Sequence, residues 1–216
     1  MLKAVLFDFD GVVVQSENAH METFQELVAP YGIKITKKQW FEEFTGTGSR
    51  GILTTILVRK KLFGKLDFEE LLEKRRKMYL KKVREGKVIL TKGVLEFLER
   101  LEGMGVERAI VSGGHPSHIQ GVLAKLGIRK RFSVVISCTE FNAPKPDHRA
   151  YLEAVKRLNV KREECLIIED SVAGCEAAKR AKIRLAVIRS PTSRDLYGFD
   201  IIVKDFTEFP LERFYD

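Results

Sequence analysis

Leu2-Lys3-Ala4-Val5-Leu6-Phe7-Asp8-Phe9-Asp10-Gly11-Val12-Val13 is the stretch that decides the fold. Its first half is short, apolar and suited to a strand buried on both faces, which is how strands of covered parallel sheets read. It then ends in two acids and a glycine. In an open parallel sheet ligands bind at the carboxyl ends of the strands. Residues two apart in extended chain project to the same side, so Asp8 and Asp10 are expected to face one small volume. Gly11 then lets the chain turn sharply. Paired carboxylates can hold a hard cation, attack an electrophile or move protons. An Asp-x-Asp can equally be a turn former or a helix cap, so the pair alone decides nothing.

Similar apolar runs recur at Glu107 to Val111, Ser133 to Ser137, Cys165 to Ile168, Arg184 to Ile188 and Asp200 to Val203. Helical patterns separate most of them: Gly93 to Met104, Ser117 to Leu126, Asp147 to Leu158 and Val172 to Ala181, several stopped by glycine. That alternation implies a parallel sheet. From Ser16 to Gly86 the rhythm breaks into helix after helix, at Glu17 to Ala29, Lys37 to Phe44, Ser49 to Leu62 and Phe68 to Arg84. The expected architecture is α/β, a Rossmann-like parallel sheet core with helices on both faces, formed by residues 1–15 and 87–216. An α-helical cap domain, residues 16–86, is inserted in it.

Composition narrows the classes. The 216 residues are 44% hydrophobic and 31% charged, which fits a globular chain with a full core and excludes disorder. The net charge is +8, and residues 15–85 hold 15 Lys and Arg against 10 Asp and Glu. The run Lys74-Arg75-Arg76-Lys77 is flanked by Glu69, Glu70 and Glu73 at helical spacing, so it reads as a solvated helix face. The aromatic interleaving of a nucleic-acid surface is missing, and no nucleic-acid partner is expected. Cys138, Cys165 and Cys175 lack metal-ligand spacing and read as reduced, partly buried thiols. No stretch is long and apolar enough to span a membrane, and the start lacks a signal-peptide layout, so the expected location is cytoplasmic.

Three later strand ends carry groups that complement Asp8 and Asp10. Ser112-Gly113-Gly114 offers a hydroxyl and backbone amides for phosphate oxygens, or a plain turn. In Ala143-Pro144-Lys145-Pro146-Asp147 two prolines restrict where Lys145 can sit, which suits a fixed positive charge. Ile167-Ile168-Glu169-Asp170-Ser171 places two acids at another strand end, as a metal site with Asp8 or as a helix N-cap.

Asp-Phe-Asp-Gly-Val, Val-Ser-Gly, Pro-Lys-Pro-Asp and Ile-Glu-Asp-Ser-x-x-Gly, in this order and spacing, resemble the haloacid dehalogenase superfamily. The match is to its helical-cap phosphatases and phosphomutases, of the beta-phosphoglucomutase and phosphoglycolate phosphatase kind. The resemblance covers essentially the whole chain. It implies that Asp8 is a nucleophile forming an aspartyl-phosphate and that Asp10 is a general acid and base. Ser112, Gly113 and Lys145 would bind the phosphoryl group. Mg²⁺ would be held by Asp8, the carbonyl of Asp10 and Asp170, with Glu169 in support. Gly46 and Arg50, in the loop Thr45 to Arg50, would meet the substrate, although a turn with an exposed arginine fits as well. The implied function is hydrolysis of a small phosphorylated metabolite, a sugar phosphate or phosphoglycolate. A sugar phosphomutase or a non-catalytic Mg²⁺ and phosphate-binding regulator are the alternatives, in a monomer or weak homodimer. Gln15 departs from the family, which commonly has an acid there.

Overall fold

Residues 1–190, 193 and 196–215 are described by the computed structural model. In chain order its strands and principal helices are β1 (Ala4–Phe7), β2 (Val14–Gln15), α1 (Glu17–Val28), α2 (Lys37–Gln39), α3 (Gly48–Arg59), α4 (Phe68–Arg84), β3 (Ile89–Leu90), α5 (Val94–Gly103), β4 (Glu107–Ser112), α6 (Pro116–Lys125), β5 (Val134–Ser137), α7 (Arg149–Leu158), β6 (Cys165–Glu169), α8 (Val172–Ala181), β7 (Arg184–Ile188) and β8 (Ile201–Val203). Six strands form one parallel sheet in the order β5-β4-β1-β6-β7-β8. The helical segment α1–α4 is inserted after β2, as the sequence pattern implies.

The chain divides into two compact units, Met1–Gln15 together with the chain from Ile89 onward, and Ser16–Val88. In the first unit β1 is central, and alternation along it decides what each face meets. Ala4 and Leu6 join a core with Tyr151 and Ala154 of α7 and Ala177 and Ala178 of α8. Phe7, one step on, lies 6.1 Å from the Phe97 ring of α5 and 5.9 Å from that of Phe132. Consecutive residues therefore serve opposite layers, as strand geometry requires. The chain leaves this unit at Gln15 and returns at Ile89 on the antiparallel pair β2 and β3, where Gln15 Nε2 donates to Thr91 Oγ1 at 2.9 Å.

The helical unit has its own core, including Phe24, Leu27, Trp40, Phe44, Leu53, Ile56, Leu57 and Leu71. Three expectations change. The helix expected over Lys37 to Phe44 is one short α segment that widens to a π-helix over Trp40–Phe44, turning both Trp40 and Phe44 inward. The basic run in α4 is not uniformly solvated. Arg75 is buried, its guanidinium 5.2 Å from the Phe24 ring and 5.1 Å from the Tyr79 ring, and it donates to His20 Nδ1. The helical period explains this, since Arg75 shares a face with Leu71 and Tyr79, whereas Arg76 pairs with Glu73 at 2.6 Å. Last, α7 starts at Arg149 rather than Asp147, because the Asp147 carboxylate accepts the Arg149 amide (2.9 Å) and guanidinium (2.8 Å).

Candidate active site

Asp8 is the first residue past β1, and its amide bonds to the Ile168 carbonyl on β6 at 2.9 Å. The strand has ended by Phe7, and Phe9 to Val14 form a tight turn closed by Val13 and Val14 amides on the Phe9 carbonyl. Asp10 is thus aimed by that turn rather than by strand alternation. Its Oδ2 lies near the loop after β4, 3.6 Å from where a Cβ on Gly114 would stand. Ser112, the last residue of β4, is buried and its Oγ accepts the Gly114 amide at 2.9 Å, while Gly113 is exposed. Ser137 Oγ, at the end of β5, donates to the Gly114 carbonyl at 2.6 Å and fixes the loop from below.

Lys145 Nζ donates to Asp8 Oδ1 and, at 2.5 Å, to Glu169 Oε1. Glu169 is fully buried, and both its oxygens are engaged. Oε1 also accepts from Tyr151 hydroxyl at 2.7 Å; Oε2 accepts from the Asp170 amide (3.1 Å), the Ser171 amide (3.4 Å) and the Ser171 hydroxyl (3.1 Å). Two glycines make room for the acids. A Cβ on Gly174 would stand 1.9 Å from the Glu169 carboxylate, and one on Gly11, at φ +87°, 2.2 Å from Asp170 Oδ2.

Asp8, Glu169 and Asp170 each bring a carboxylate oxygen within 4.8 Å of the others. Lys145 meets two of these buried carboxylates, Asp8 and Glu169, and Asp170 stands beside them. Burial pushes the Asp8 carboxyl well up, Lys145 opposes this, and the charges of Glu169 and Asp170 add to it. Burial disfavours the Lys145 charge too, yet Asp8 and Glu169 outweigh it and hold the ammonium well above its ordinary range. An all-oxygen donor set of clustered carboxylates fits a hard divalent cation such as Mg²⁺.

The first unit thus brings together Asp8, Lys145, Glu169 and Asp170, and places Asp10 beside the Ser112-Gly113-Gly114 loop. Gly46 and Arg50 belong to the helical unit. Gly46 is exposed in a turn at φ +79°, and Arg50 makes a two-pronged ion pair with Glu69 (2.6 and 3.0 Å), its guanidinium 5.1 Å over the Phe68 ring. Tyr151 escaped the sequence reading, and Gly174, the glycine that closes the Ile-Glu-Asp-Ser-x-x-Gly motif, had no role assigned to it there. A tyrosine among Ala150, Ala154 and Val155 on an apolar helix face signals a hydroxyl in need of a partner, and a glycine inside a helix signals close approach.

Known proteins resemble this chain in sequence and in fold. The family model described as haloacid dehalogenase-like hydrolase matches residues 5–188. The putative phosphatase YhcW of Bacillus subtilis is 30% identical over 188 residues, 87% of this chain and 84% of that protein. The phosphorylated carbohydrates phosphatase of Thermotoga maritima is 27% identical over 184 residues, 84% of this chain and 82% of that protein. The crystal structure of CbbY from Rhodobacter sphaeroides in complex with phosphate superimposes with a TM-score of 0.85, covering 97% of both chains at 22% identity. Sequence and fold agree, and the chain belongs to the haloacid dehalogenase-like hydrolases, in their helical-cap branch.

Proposed function

We propose that this hydrolase is a Mg²⁺-dependent phosphatase of small phosphate monoesters, with sugar phosphates or phosphoglycolate as the substrate class. The observation that carries this reading is the end of β1, where Asp8 is held by Lys145 within the carboxylate cluster of Glu169 and Asp170. The phosphatase of phosphorylated carbohydrates among its relatives supports the sugar class.

In the first half-reaction Asp8 attacks phosphorus, the bond from phosphorus to the substrate's bridging oxygen breaks, and Asp10 gives its proton to that leaving oxygen. In the second, Asp10 takes a proton from water, whose oxygen attacks the aspartyl-phosphate and releases inorganic phosphate and free Asp8. Lys145, Ser112 and the Gly113 amide hold and neutralise the phosphoryl oxygens. Mg²⁺, held by Asp8, Asp170 and the Asp10 carbonyl, supplies further neutralisation of phosphoryl charge when bound. Gly46 and Arg50 set substrate choice; the exposed Arg50–Glu69 pair is of a kind that water and salt weaken easily.

Phosphate release from a panel of sugar phosphates and phosphoglycolate tests the reading. Turnover is expected with Mg²⁺ and not with EDTA, and Asp8→Asn is expected to lose about four orders of magnitude in kcat. Turnover by the Asn variant at the native rate would refute the nucleophile. A product that is an isomeric sugar phosphate, with no inorganic phosphate released, would make the enzyme a mutase. The same panel on Arg50→Ala is expected to show changed KM values, and an unaltered substrate profile removes Arg50 from the site.

A further inference from the structure

Tyr151 takes no part in the reaction proposed above, yet it is buried on α7 against the centre of the charge cluster. Its hydroxyl donates to Glu169 Oε1 at 2.7 Å, the oxygen that also receives Lys145 Nζ at 2.5 Å. The ammonium stands 5.2 Å over the centre of the same tyrosine ring. Tyr151 therefore touches both members of the Lys145–Glu169 pair, through its hydroxyl and through its ring face.

Lysine is a point charge on a flexible four-carbon stem, so its position is set by its acceptors. Asp8 is one acceptor, but a carboxylate that becomes phosphorylated to an acyl phosphate loses its own charge and much of its accepting power. Glu169 forms no covalent bond in the reaction, and it can act as a fixed anchor only if it is itself fixed. Its Oε2 is tied to the start of α8 by the Asp170 and Ser171 amides and the Ser171 hydroxyl; on Oε1 the tie besides Lys145 is Tyr151.

We propose that Tyr151 is a positioning residue, fixing Glu169 so that Lys145 keeps its place when Asp8 is consumed in the covalent intermediate. The proposal rests on the phosphatase reading, because Lys145 is there the cation that meets the transferring group.

Tyr151→Phe removes the hydroxyl and keeps the ring. Its kcat on the best sugar phosphate is expected to fall about 10- to 100-fold, the usual effect of losing a supporting hydrogen bond behind a catalytic group, with KM and Tm little changed. The second readout is the Lys145 ammonium signal in ¹⁵N NMR of the metal-free protein, assigned by its loss in Lys145→Arg. It is expected to shift or broaden in Tyr151→Phe. Native kcat in the variant, or a lowered kcat with the ammonium signal unmoved, overturns the proposal, as does a lowered Tm with native kcat. If the variant does not fold, the native protein decides: a Tyr151 hydroxyl proton protected from exchange supports the proposal, and a freely exchanging one overturns it. Should the native enzyme hydrolyse no ester, the phosphatase reading fails by itself, and the ammonium signal still reports whether Tyr151 holds Lys145.

Discussion

Gly174 shows how a residue without a side chain can set the charge of a site. Within the first turn of α8 it costs about 1 kcal/mol of helix propensity relative to alanine. The space it leaves is filled by the Glu169 carboxylate, which would overlap an added Cβ at 1.9 Å. Gly174→Ala is therefore expected to destabilise the protein by about 1–3 kcal/mol in urea unfolding, against the gain that propensity alone would give. The same variant should lose activity, because displaced Glu169 no longer meets Lys145. A variant as stable and active as the native protein would show that the carboxylate has another place to go.

Elements differ in how much of them the sequence announces. Short apolar strands followed by Asp8 or closed by Ser112 and Glu169 were legible because burial on both faces leaves little room for polar residues, so an acid or hydroxyl at the end stands out. Asp8, Glu169 and Asp170, which the structure brings together with Lys145, stand out for the same reason, whereas Lys145 is marked by the proline on either side of it. Arg75 was not, because a run of four basic residues gives no sign of which one a helix turns inward. Tyr151 was hidden because periodicity tells which face of α7 is buried and never what lies opposite. The start of α4 follows local rules. Asp67 caps it by accepting the Glu70 amide at 2.9 Å, with Glu69 and Glu70 in the first turn. Asp67→Ala is expected to cost about 1 kcal/mol in denaturant melts. An unchanged midpoint would mean that the tertiary packing of α4 carries its first turn alone.

For the molecule as a whole, three buried thiols tie stability to alkaline pH. Burial raises Cys138 to about 11 and Cys165 and Cys175 to about 12. In an unfolded chain a thiol titrates at about 8.5. The folded form thus holds protons that the unfolded form gives up. This stability is fully present below the unfolded value and is lost as pH rises towards 11 to 12. Unfolding free energy is expected to fall steadily above pH 9, and Cys165→Ala with Cys175→Ala to flatten that fall. Ellman's reagent should leave the native thiols untouched at pH 8 and find them after denaturation. Rapid native reaction at all three would contradict their burial.

The place of β1 in the sheet has a consequence for how the chain is made. Its neighbours are β4, which begins at Glu107, and β6, which begins at Cys165. On the ribosome the strand that leads into Asp8 is therefore synthesised well before either partner, and it waits with both edges open. The helical stretch Ser16–Val88, whose core residues lie within it, is complete by then. Only when Ile168 emerges does Asp8 gain the carbonyl that its amide bonds. The strand leading into Asp8 is thus made before the strands that flank it, and its surroundings are completed later.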